Sequence, residues 1–84
     1  MPNLWFEDSL GRERVIANCA NGREVNNEIR KFIDDANDRW PSKAPFRSYY
    51  TRAYEADGRV ILDVGSHTEF FKWDGTLDAY MEDR

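Results

Sequence analysis

The chain has 84 residues, of which 40% are hydrophobic, 14% aromatic and 33% charged. That is room for one domain, residues 1–84, and it argues against disorder. Sixteen acids against twelve bases give an acidic net charge of −4, too small to name a partner, and no apolar run is long enough to span a bilayer as a helix.

Leu4-Trp5-Phe6 is an apolar cluster that reads either as an edge strand or as an arm packed by its tryptophan. The first residues lack the basic flank and apolar stretch of a signal peptide, so a cytoplasmic location is expected. Gly11 marks a turn. From Arg14 to Cys19 the sequence alternates, with Val15, Ala17 and Cys19 on one side and Arg14, Ile16 and Asn18 on the other, which predicts a strand. Asn21 and Glu24 have the spacing of a capping box: the Asn21 side chain accepts from an unpaired backbone N–H, and Glu24 suits the positive end of the helix.

The helix that follows carries Val25, Ile29, Phe32, Ile33 and Ala36 on one face. It is expected to end near Asn37, ahead of Trp40-Pro41, because a proline disfavours helix at the residue before it. Asp38 to Pro45 reads as a connector, with Trp40 closing one end of the core. Three strands follow, within Phe46–Glu55, Val60–Val64 and Thr68–Trp73, joined by Asp57-Gly58 and by Gly65-Ser66-His67. Leu77, Tyr80 and Met81 have the spacing of a short terminal helix. The fold class is therefore α+β: one main amphipathic helix on a mostly antiparallel four-stranded sheet in the order β-α-β-β-β, with a short C-terminal helix.

The Asp57-Gly58 turn sets a register. Ala56 faces Arg59, Tyr54 faces Ile61, Ala53 faces Leu62 and Arg52 faces Asp63. One face then holds Tyr49, Thr51, Ala53, Val60, Leu62 and Val64, and packs against the helix. An even-numbered turn after Val64 adds Phe71 and Trp73 to that face; the alternative would bury Lys72, and burying an unpaired ammonium is costly. The open face is predicted to carry Tyr50, Arg52, Tyr54, Ile61, Asp63, Phe70 and Lys72. An aromatic and charged patch of this kind marks an interaction surface unless the N-terminal segment or the terminal helix covers it. Tyr50, Arg52, Tyr54, Asp63, Phe70 and Lys72 are the candidate partner-binding residues; Ile61 and Phe70 could equally form a two-fold homodimer.

Catalytic chemistry has little support. Cys19 reads as an inert small hydrophobe, Ser66 and His67 are sequence neighbours with no reason to meet, and Gly58, Gly65 and Gly75 are isolated turn glycines and not a phosphate loop. No catalytic residue, metal or cofactor is predicted; a small enzyme using His67 is the third reading. Nucleic-acid or nucleotide binding is the second, since Arg47 to Tyr54 interleaves bases with tyrosines that can stack on bases. The charge is divided along the chain: five bases and two acids from Arg39 to Arg59, five acids and two bases from Glu69 to Arg84. Asp63 opposite Arg52 would weaken a phosphate site.

The string Asp63-Val-Gly-Ser-His-Thr-Glu-Phe-Phe71, with the Tyr-rich hairpin before it and Arg14–Asn37, resembles a type of small phage or mobile-element protein. The resemblance spans about two thirds of the chain and supplies no catalytic residue. It implies a genomic context in which small acidic proteins inhibit host machinery, as anti-CRISPR and other counter-defence proteins do. The resulting expectation is a stoichiometric inhibitor that binds a bacterial host protein, such as a defence nuclease complex, in the host cytoplasm.

Overall fold

The computed structural model describes residues 2–39, 52–64 and 68–84. Five strands and two helices follow in the order β1 (Asn3–Glu7), β2 (Glu13–Asn18), α1 (Gly22–Arg39), β3 (Arg52–Ala56), β4 (Arg59–Asp63), β5 (Phe70–Trp73) and α2 (Leu77–Glu82). The fold is α+β with one main helix, a short terminal helix and an antiparallel sheet, as the sequence predicts. The sheet has five strands and not four, in the spatial order β2-β1-β5-β4-β3.

The added strand is β1. It is neither an edge strand nor an arm, but lies between β2 and β5 and pairs antiparallel with both. Its alternation explains the placement. Leu4 and Phe6 point into the core, opposite Trp73 and Phe71, while Trp5 and Glu7 point the other way, opposite Lys72 and Phe70.

In β2 the expected alternation breaks. Trp5 pairs with Val15 but Leu4 pairs with Ala17, so an extra residue, Ile16, is inserted between them. Such a bulge shifts every later residue by one face. Ile16 and Ala17 therefore pack against the core, Arg14 lies opposite Phe6, and Val15 is left 46% exposed. Cys19 keeps its predicted inner place.

The β3–β4 register matches the prediction at all four pairs, and the turn residues Asp57 (φ 55°) and Gly58 (φ 75°) both adopt the left-handed conformation of a tight hairpin. The predicted orientation of β5 also holds: Phe71 pairs with Leu62 and Trp73 with Val60, all fully or almost fully buried.

The capping box forms. Asn21 Oδ1 accepts from Glu24 N at 2.9 Å, and Glu24 Oε1 accepts from Ala20 N at 2.9 Å. Val25, Ile29, Ile33 and Ala36 are buried against the sheet. Phe32 completes an aromatic trio with Phe6 (4.6 Å between ring centroids) and Phe71 (5.4 Å). The second helix joins the same core through Tyr80, whose hydroxyl donates to Asn26 Oδ1 at 2.8 Å. The end of α2 meets the start of α1, where Arg23 N donates to Asp83 O. The approach is so close that a Cβ on Gly22 would lie 2.1 Å from the Tyr80 carbonyl oxygen. The helix α1 runs to Arg39, two residues past the expected end, so Asp38 and Arg39 belong to it and not to the connector; the expectations for Trp40, the rest of the connector to residue 45, Tyr49, Tyr50, Thr51, Ser66 and His67 lie outside the described residues.

Candidate functional site

Both helices contribute their apolar side chains to one cluster with the inner residues of the sheet. The opposite face is built by the alternate residues of the same strands. One row across it runs Val15, Trp5, Lys72, Ile61 and Tyr54, each opposite the next in register. Another brings Glu13 and Phe70 to either side of Glu7.

Of the six predicted binding residues, Tyr54, Phe70 and Lys72 come together, lining one hollow of about 210 Å³ with Ile61 and Glu7. Arg52 is exposed and sits over the Tyr54 ring at 5.1 Å, and Asp63 lies opposite Arg52 in register. Tyr50 is outside the described residues. Tyr54 and Phe70 are half-buried.

One expectation for this face needs correction. Ile61 is only 8% exposed, so it is floor and not contact surface. Lys72 is ion-paired. Its ammonium donates to Glu7 Oε1 and Glu13 Oε2, each at 3.0 Å, and its side chain is 20% exposed.

Lys72 belongs to a chain of charges. Glu13 Oε1 accepts from Arg59 at 2.8 Å, and Arg59 Nε lies 3.6 Å from Asp74 Oδ1. The Arg59 guanidinium lies over the Trp5 ring at 5.5 Å, while Trp5 Nε1 donates to Asp74 Oδ2 at 2.9 Å. Asp74, Arg59, Glu13, Lys72 and Glu7 are thus linked without a break, over and beside a tryptophan. Arg59, Glu13, Lys72 and Ile61 line a second hollow of about 240 Å³.

The protonation states follow from these contacts. Hydrogen bonds from Arg59 and then Lys72 hold the Glu13 carboxyl below its ordinary value. Burial alone would push the Lys72 ammonium down; the hydrogen bonds to Glu13 and Glu7 outweigh it and hold Lys72 above its ordinary value. Arg59 is raised chiefly by its bond to Glu13. Cys19 behaves oppositely: burial, aided by the nearby Glu28 and Glu24, pushes its thiol up to about 11, which keeps it protonated and poorly nucleophilic at neutral pH.

Trp5, Glu7, Glu13 and Arg59 were not among the predicted site residues. Three of them come from the N-terminal hairpin, and only its pairing with β5 brings them here. The available signal was the alternation within Asn3–Glu7 itself, where Trp5 and Glu7 share a side. Among the described residues no group of three or more His, Cys, Asp or Glu is placed to hold a metal ion, and no helix is long and apolar enough to cross a membrane. Comparison with protein-family models, with curated proteins and with solved structures finds no match in any of the three.

Proposed function

We propose that the protein works by stoichiometric binding, docking the sheet face opposite the helices onto a partner protein. The observation that carries this reading is the convergence of Tyr54, Phe70 and Trp5 on a face whose charges largely satisfy one another. Half-exposed aromatic rings anchor protein interfaces, and ion pairs at their rim select the partner. On the resemblance of the 63–71 string to small phage-type proteins, the proposed partner is a bacterial host protein, in particular a CRISPR-type defence component, and the outcome of binding is inhibition.

A nucleotide or single-strand nucleic-acid site is the second reading, favoured by the Arg52–Tyr54 stack. Its weakness is that Lys72 and Arg59 are already engaged by Glu7, Glu13 and Asp74, leaving a poor phosphate track.

The test is capture from bacterial lysate on the immobilised full chain, with and without nuclease treatment, comparing the native sequence with Tyr54→Ala/Phe70→Ala. A protein retained after nuclease treatment and lost with the double variant supports the reading. Retention by the folded double variant would rule this face out. Capture that disappears with nuclease, or weakens steeply with salt, favours the nucleic-acid alternative.

A further inference from the structure

The β1–β2 hairpin end has a feature that the sheet face does not use. Phe6, Asp8, Arg12, Glu13 and Arg14 line a hollow of about 420 Å³ there. Its formal charges cancel, two bases against two acids, yet the acids are engaged and the bases are largely not. Asp8 Oδ1 accepts from Leu10 N and Arg12 N, and Asp8 Oδ2 accepts from Arg12 Nε at 3.1 Å. Both oxygens of Glu13 are taken by Arg59 and Lys72.

Arg12 commits only its Nε to Asp8, so the two terminal nitrogens of its guanidinium are uncommitted among the described residues. Its side chain is 74% exposed. Arg14 makes no ion pair among the described residues. Its guanidinium rests over Phe6 at 5.8 Å and Phe32 at 5.9 Å, which positions the charge without neutralising it. Two guanidinium forks on one rim, with their neighbouring carboxylates saturated, favour an incoming oxyanion.

The surroundings select among oxyanions. Phe6, 8% exposed beneath Arg14, is only the floor of the hollow, whereas Leu10, held on a turn closed by the bond from Gly11 N to Asp8 O, is 74% exposed. We propose that this hairpin end is a second binding site that takes an acidic peptide segment of a partner protein, its carboxylates on Arg12 and Arg14 and an adjacent apolar side chain against Leu10. The site shares Glu13 with the sheet face opposite the helices, but Tyr54 and Phe70 take no part in it.

The probe is a blocked tetrapeptide of one phenylalanine followed by three glutamates, titrated into the isotope-labelled full chain. The signals followed are the Leu10, Arg12 and Arg14 amides and the arginine Nε–H groups. These shift on addition of the peptide; the dissociation constant rises about tenfold or more in Arg12→Gln/Arg14→Gln, and Arg14→Lys, which keeps the charge but loses the planar fork and its stacking on Phe6 and Phe32, retains only part of the affinity. The Trp73 indole signal, bonded to Cys19 O, reports that each variant is folded. The proposal is overturned if the all-glutamine peptide shifts the same signals equally, or if the folded double variant binds unchanged. It is also overturned if inorganic phosphate or a thymidine oligonucleotide binds there more tightly than the peptide. Tyr54→Ala/Phe70→Ala leaves peptide binding unchanged, so this site and the sheet face fail or stand separately.

Discussion

The two faces of the sheet are made by the same strands and differ by one residue in phase. On the inner face Leu62, Val60 and Phe71 are completely buried under α1. On the outer face the intervening residues, Ile61 and Lys72, are covered without any helix among the described residues. Ile61 is almost as buried as the core, yet its cover is a lattice of ion-paired side chains and half-exposed rings. One face is kept dry by hydrophobic burial, the other by charged stems lying across it with their heads tied together. The second arrangement contributes less stability but leaves a surface that is ordered and wettable, and therefore available.

The largest expected effect breaks the comparison directly. Phe71→Ala empties a fully buried site and costs about 3–5 kcal/mol, whereas Phe70→Ala, one residue away on the other face, costs about 1 kcal/mol or less. Equal shifts in the urea midpoint would show that the outer face is core after all. Gly22→Ala tests the cover of the inner face: a methyl 2.1 Å from the Tyr80 carbonyl oxygen forces α2 away from α1, with a cost of about 1–3 kcal/mol in thermal unfolding.

Lys72→Met sharpens the account of the outer face. It leaves Glu7 and Glu13 facing each other with only Arg59 nearby, for a loss of about 1 kcal/mol that shrinks as salt is added. Glu13→Gln adds a pH dependence. Because the folded-state value of Glu13 is depressed, its contribution is fully present above the unfolded-state value and fades as pH falls through the folded one. The variant is therefore less stable at neutral pH, and the two unfolding curves begin to converge only once pH falls below the ordinary glutamate value of about 4.3. Arg52→Ala, at the exposed rim, changes stability by no more than about 0.5 kcal/mol.

Most of the local structure was legible in the residues. Asp57-Gly58 specified its hairpin register because few residue pairs accept two positive φ angles in succession, and the capping box and helix stripe were read from spacing alone. The cost of burying Lys72 oriented β5 correctly. What stayed hidden was non-local. The place of β1 between β2 and β5 depends on pairing across more than sixty residues, which no local pattern encodes. The β2 bulge at Ile16 was hidden for the same reason, since nothing in Arg14–Cys19 shows where a partner strand slips. The candidate site was read in half: Tyr54, Phe70 and Lys72 were placed together, while the ionic partners of Lys72, Glu7 and Glu13, came from the N-terminal hairpin, whose position could not be derived.

The central position of β5 has a consequence for how the chain is made. The last strand to leave the ribosome is the seam between the N-terminal β1–β2 pair and the β3–β4 hairpin. Neither half can close its layer until Phe70–Trp73 has emerged, so the sheet completes late, from its middle outward, and premature termination ahead of Phe70 yields two orphaned ribbons instead of a smaller version of the same protein.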